Sequence, residues 1–407
     1  MKHKNRTALP PGWQLRQLGD VIDIRNGYAF RSRDFASQGV LLIRQSNLSS
    51  SGITTDEPIY LPKHYLKKYA DHRVIKGDVL IGMSGSIGKL CICDLETPSL
   101  QNQRTGLIRF HVPEYAAYIT YYLRFIKNKL LALSKGEAVK NISSSQIKSF
   151  YIPLAPIDEA EHIASRIKTL LFDLERVIEK LTAAKTSLNN YRNAVLQKAF
   201  YNKQNGNRVK LGKVAAIRNG YSFSVKQAIH DDKAVPFFKV ADLAQTDGQT
   251  NPYLSKAKYY ISADECYGQR LKPLQPGTTV FAKTGEAIKL NRRAILKLPA
   301  LIDNNMMGVL SSSDKLDNTY LYYFLLSVRL QELGRATTIP SLRKSDVSGI
   351  SIPLPSISEQ LRITAETERC LVKANNLEKA ISDNIEQAEM LRQSIFKRAF
   401  EGKLASN

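Results

Sequence analysis

The side chains best suited to chemistry in this 407-residue chain lie in four clusters, each of which occurs twice. Arg25-Asn26-Gly27-Tyr28 and Arg218-Asn219-Gly220-Tyr221 set a cation, an amide and an aromatic ring around a glycine turn. Arginine reaches phosphate or the edge of guanine, and asparagine pairs with adenine, so the grouping suits nucleic acid. A structural turn is the competing reading for Asn26, Gly27, Phe30 and their counterparts, which leaves Arg25 and Arg218, flanked by Tyr28 and Tyr221, as the reading candidates. In the other three clusters the position repeats while the chemistry changes. Arg44, Ser46 and Asn47 are answered by Lys239 and Asp242, Ser84 and Ser86 by Lys283, Thr284 and Glu286, and Lys140 and Asn141 by Arg343 and Lys344. One scaffold carrying two different readers would give that pattern, and exposed polar loops are the alternative. Lys89 and Lys289, each four residues past a turn glycine, are expected to hold phosphate.

Enzymatic and metal chemistry is poorly represented. The stretch Gly82 to Leu90 approaches a nucleotide-phosphate loop, but Met83 stands where that motif needs glycine and Leu90 where it needs Ser or Thr. Asn251-Pro252-Tyr253 is one proline short of an adenine methyltransferase motif, with no glycine-rich cofactor loop before it. The six histidines have no metal-ligand spacing, and the four cysteines (Cys91, Cys93, Cys266, Cys370) form no disulfide framework. Catalytic motifs are thus mostly missing.

Charge shows where the clusters are carried. Lys and Arg number 59 against 37 Asp and Glu, a net +22. Residues 1–157 hold 22 cations and 11 anions (+11), residues 158–205 hold 8 and 6 (+2), residues 206–357 hold 21 and 12 (+9), and residues 358–407 hold 8 of each. Two basic globular bodies with near-neutral connectors point to a polyanion, with mere solubility as the bland alternative. No run approaches the ~18 apolar residues of a membrane span, and no apolar signal core follows Met1, so the cytoplasm is the expected compartment.

The bodies are copies of each other. Leu18-Gly19 with Ile24 to Phe30 returns 193 residues later as Leu211-Gly212 with Ile217 to Phe223, and Ile152-Pro153-Leu154 returns as Ile352-Pro353-Leu354. Asn102-Gln103 with Gly106-Leu107 is matched to Asn304-Asn305 with Gly308-Val309. Short apolar runs bounded by Gly, Ser, Asn and Pro read as strands of a mixed sheet, with some helix. Between the bodies, Ile163, Ile167, Leu170, Leu174, Val177, Leu181, Leu188 and Val195 recur by threes and fours, a coiled-coil seam. Ile363, Leu377, Ile381, Asn384, Leu391 and Ile395 mark a weaker second seam, in which Asn384 would fix register. The expected fold is therefore α+β: two tandem bodies of mixed sheet plus helices, 1–157 and 206–357, separated by two long antiparallel coiled-coil helices, 158–205 and 358–407, in a pseudo-twofold internal repeat. The helices, each about 40 residues and roughly 60 Å long, would act as a ruler between the bodies. Asp158 and Ser358 are the expected N-caps.

Ile352-Pro353-Leu354-Pro355-Ser356-Ile357-Ser358-Glu359-Gln360, the Ala199-Phe200 and Ala399-Phe400 helix ends, and the duplicated Leu-Gly, Asn-Gly, Gly-Asp-Val-Leu order resemble the specificity subunit of type I restriction-modification systems. The resemblance covers essentially the whole chain, although the first copy lacks the Glu-Gln pair. It implies two target-recognition domains, each reading half of a bipartite, asymmetric sequence in double-stranded DNA. It also implies docking of two methyltransferase subunits, which bring S-adenosylmethionine, and of restriction subunits, which use ATP and magnesium, so that this chain itself would catalyse nothing and bind no metal or cofactor. A self-contained nuclease or methyltransferase would need a carboxylate cluster or cofactor loop that the sequence lacks. A non-catalytic coiled-coil scaffold working with other effector proteins is the remaining alternative.

Overall fold

The computed structural model describes residues 9–49, 51–133, 141–201, 207–223, 234–246, 252–333 and 340–404. The chain forms two compact units, residues 1–179 with 385–407 and residues 180–384. In the first, strands Ile22–Asn26, Thr105–Phe110, Val79–Gly82 and Leu90–Ile92 lie side by side in that order, all antiparallel. Val79–Gly82 is buried throughout and reads as a continuous apolar run, whereas the edge strand Ile22–Asn26 begins by alternating. A second sheet sets Val40–Ile43 between Tyr60–Leu61 and Ser99–Gln101, parallel to the latter, with Arg73–Val74 at the edge. The second unit repeats the plan. Ala215–Asn219, Met306–Ser311, Thr279–Ala282, Arg293–Leu296 and Tyr253–Leu254 form one sheet, and Tyr259–Ile261, Val235–Phe238 and Leu301–Ile302 the other.

The ladders correct the matching of the two copies. Asn26 and Ile81 both face Gly106, and their counterparts Asn219 and Phe281 both face Met307. Gly106 is therefore equivalent to Met307, not Gly308, and the turn before it matches Gln103 to Asn304 and Arg104 to Asn305. Similarly, Ile81 faces Leu90 while Phe281 faces Arg293, so Arg292 holds the position of Lys89 and Lys289 lies within a longer turn. Matching letters slipped because side-chain equivalence in a sheet is set by register.

The long helices run Ile157–Tyr201 and Ile357–Phe400. Both start one residue earlier than expected. Ser356, not Ser358, caps the second, its Oγ accepting from the Glu359 amide at 3.3 Å, while Asp158 lies in the first turn of the first, where a carboxylate favours the helix dipole. The buried face also differs. Ile163, Ile167, Leu174, Ile363 and Ile395 are buried, and Leu181, Leu188, Val195 and Ile381 half-buried, as the seam required. Between them, however, Leu171, Ile178, Lys185 and Arg192, and Leu371, Glu378, Ile385 and Arg392, turn inward. Leu170 is half-buried as well, but Val177 (49% exposed), Leu377 (56%) and Leu391 (52%) lie outside. Asn384 is exposed and donates to the Ala380 carbonyl of its own helix at 2.9 Å, so it fixes no register.

Within each unit the helix segments pair antiparallel. In the second, the nearly buried Arg192 guanidinium donates to Glu378 Oε2 (2.6 Å) and Asn375 Oδ1 (2.8 Å), and Lys185 reaches Ser382. In the first, Arg392 approaches Glu175 at 3.8 Å. The repeated Ala-Phe helix ends anchor each unit. Phe400 packs 5.2 and 5.0 Å from the Tyr118 and Tyr122 rings, and Phe200 packs 5.1 Å from Tyr320. Tyr118 and Tyr320 in turn donate to the carbonyls of Pro153 and Pro353.

Candidate nucleic-acid interface

Four loops of the first unit are tied together by their backbones. The Gly27 and Tyr28 amides donate to the carbonyls of Thr105 (3.1 Å) and Gln101 (3.2 Å), Asn102 to Ile43 (2.9 Å), Met83 to Arg104 (3.1 Å) and Ile142 to Met83 (2.9 Å). The second unit makes the same frame. Gly220 donates to Met306 (3.2 Å), Tyr221 to Ile302 (2.8 Å), Asp303 to Phe238 (2.9 Å), Lys283 to Asn305 (2.8 Å) and Leu342 to Lys283 (2.8 Å). The clusters around Arg25, Arg44, Ser84 and Asn141 thus converge, as do those around Arg218, Lys239, Lys283 and Arg343. These bonds satisfy backbone groups that the crowded turns would otherwise leave unpaired. They also explain the glycines: a Cβ on Gly27 or Gly220 would overlap the carbonyl oxygen of Asn102 or Asp303.

The candidates differ in how free their side chains are. Arg25 donates to the Asp71 carbonyl at 3.0 Å and its carboxylate at 3.3 Å, and Arg44 donates to the Glu57 carbonyl at 2.7 Å. Tyr28 is exposed in an aromatic group with Tyr69, 4.6 Å away between centroids, and Phe30 is buried beneath it. Lys239 lies over the Tyr259 ring, Tyr221 Oη accepts from the Lys272 amide, and Lys289 pairs with Glu286 at 2.8 Å. Ser46, Ser86, Asn141, Arg218, Arg343 and Lys344 are exposed, Lys283 and Thr284 are half-buried, and Thr284 bridges to Ser341. Lys140 and Asn251 lie outside the described residues.

Three candidates need correction. Asn47 is 5% exposed, with Oδ1 accepting from the Arg44 amide (2.9 Å) and Nδ2 donating to the Thr54 carbonyl (2.8 Å). Asp242 does the same work in the second unit, accepting from the Lys239 amide at 2.7 Å. Both are turn holders, which the burial of their polar ends makes inaccessible to a base. Ser84 is buried too, in a backbone bridge to Asn141. Lys89 lines a cavity of about 720 Å³ with Arg124, Lys127, Glu175 and Arg392, against the long-helix segments of its unit.

Two exposed residues at the centre of the first frame, Gln103 and Arg104, were passed over. Their turn, between strands Ser99–Gln101 and Thr105–Phe110, repeats in the sequence, and that recurrence was the available signal. Toward the other end of the Ile22–Asn26 strand the cations are engaged. A hydrogen bond from Lys148, with His111 second, holds the Asp23 carboxyl below its usual range, and Arg109 pairs with Asp78. Among the described residues no cluster could hold a metal ion, and no helix is long and apolar enough to cross a membrane.

A body that occurs twice, with one backbone frame presenting different polar side chains in each copy, defines a protein with two like recognition surfaces. The family model for the type I restriction modification DNA specificity domain matches residues 10–183 and 204–387, and the chain belongs to that family. It is similar to the type I restriction enzyme EcoBI specificity subunit of Escherichia coli, 24% identical over 98% of this chain and 88% of the relative. It is also similar to the StySPI specificity subunit of Salmonella potsdam, 22% identical over 99% and 91%. Its fold matches a chain from a study of complex assembly and conformational transition of the type I R-M system, with TM-score 0.78, 21% identity and coverage of 97% and 99%. The HsdS subunit of Thermoanaerobacter tengcongensis matches at TM-score 0.55, with 20% identity over 98% and 99%.

Proposed function

We propose that this non-catalytic specificity subunit reads a bipartite, asymmetric sequence in double-stranded DNA, one half-site per loop frame. The observation that carries the reading is the change of side chains on an unchanged frame: Gln103 against Asn304 and Arg104 against Asn305. Equal frames that present unequal side chains cannot make the same contacts, so the two half-sites they read differ. Two modification subunits and the restriction subunits dock on it in the cytoplasm, and the S-adenosylmethionine, ATP and magnesium belong to them. Exposed apolar side chains on the long helices support docking there: Phe172, Met390 and Leu391 in the first unit, Leu361 and Leu377 in the second. Sequencing the methylome of a host with and without this gene tests the proposal. The expected result is adenine methylation, dependent on the gene, at a motif of two different half-sites separated by unspecified bases. A continuous motif, or none, would sink it.

A further inference from the structure

We infer that Arg104 reads a guanine in the half-site recognised by the first unit, and that the second unit has no equivalent reader in this turn. The inference rests on the DNA-reading function proposed above. Three observations converge on it. The first is rigidity. The Arg104 carbonyl accepts from the Met83 amide at 3.1 Å, Thr105 donates to the Asn102 carbonyl through both its amide (3.0 Å) and its hydroxyl (2.7 Å), and the Gln103 amide donates to Asn102 Oδ1 at 2.7 Å. The turn is ordered before any ligand arrives, so little backbone entropy is lost on binding.

The second observation is availability. Arg104 is exposed and no protein group engages its guanidinium among the described residues, whereas Arg25, Arg44 and Arg109 are tied to Asp71, Glu57 and Asp78. A phosphate-holding role would be served by any of the flexible surface lysines. A planar fork carried on a fixed turn at the middle of four converging loops can match the paired O6 and N7 acceptors of guanine. The third observation is the contrast between copies. Asn305 stands at the equivalent position, and its Nδ2 already donates to Asp303 Oδ1 (2.8 Å) and Asn304 Oδ1 (3.1 Å), which holds the amide within its own turn.

The test uses the complex assembled with its modification subunits and measures binding to duplexes in which each motif position is varied. The wild-type complex should lose about 10- to 100-fold in affinity when one guanine of a single half-site is replaced. Arg104→Ala should bind the parent and guanine-replaced duplexes within about threefold of each other, with the other half-site read as before. Arg104→Lys keeps the charge but not the fork, and should recover only part of the discrimination. The inference is overturned if both variants keep the full base preference. It is overturned too if Arg104→Ala weakens all duplexes evenly and lowers the salt slope by about one, which marks a phosphate contact. A wild-type complex with no bipartite target would defeat the function proposed above; a bipartite target read without Arg104 would defeat this inference alone.

Discussion

At positions 47 and 242 two different side chains do one backbone task. Asn47 and Asp242 each accept the amide three residues earlier, and the Asn47 amide nitrogen also reaches the Thr54 carbonyl. Asn47→Ala leaves the half-buried Arg44 amide and Thr54 carbonyl without this partner, so it should cost about 1–3 kcal/mol of unfolding free energy. Asp242→Asn keeps the acceptor and should cost less than about 1 kcal/mol. Urea unfolding together with the methylated motif checks both; a changed motif at unchanged stability would make these residues readers after all. The case shows why sequence located the loops but not the readers within them. Asn, Asp and Ser hold turns and contact bases with the same atoms, and only burial separates the two uses. Arg104 was hidden for a different reason: matching letters slipped by one residue in this turn, which set it against Met306 instead of Asn305.

Helix existence was legible in the long three-four periodicity and pairing direction in the internal repeat read as a pseudo-twofold, while the choice of inner face was not. Two seams share Ile167, Leu174, Leu181 and Leu188 and differ by one residue in between. Counting apolar residues favours the seam through Leu170, Val177, Leu377 and Leu391. The other seam includes Lys185, Arg192, Glu378 and Arg392, which a hydrophobic count rejects but which turn inward and pair. Burial of an arginine is tolerable when a carboxylate and amides meet it, as Glu378 and Asn375 meet Arg192. Leu171→Ala and Leu371→Ala, both in the buried set, should therefore each cost about 2–5 kcal/mol. Val177→Ala and Leu377→Ala should stay within about 0.5 kcal/mol. Denaturant midpoints at constant slope decide between the seams, and the reverse ranking would restore the one through Val177.

On the scale of the molecule, the order body, helix, body, helix is cyclic in its logic, and the first unit carries the physical sign of it. That unit is completed by residues 385–407, whose Ala399 and Phe400 are buried with Tyr118 and Tyr122. Just beyond them Gly402 adopts φ +69°, a left-handed conformation natural to glycine, and lies so close to the Pro10 ring that a Cβ would overlap it. The segments around Pro10 and Gly402 are thus neighbours, while the chain between Tyr201 and Asn207 joins a long helix to the Arg208–Lys210 strand of the second unit. A permuted chain that links residue 404 to residue 9 through a short glycine-serine linker and opens between Tyr201 and Asn207 keeps both loop frames and both long helices. Joining neighbouring segments adds little loop-closure cost, since that cost grows only logarithmically with length. The permuted protein should assemble with the same modification subunits and direct methylation to the same motif, with +9 kept on the second body and +8 on residues 9–157, which lose only Lys2, Lys4 and Arg6. Methylome sequencing of a host carrying only the permuted gene reads the outcome. A folded permuted chain that marked a different motif would show that chain order, and not the two frames, determines what is read.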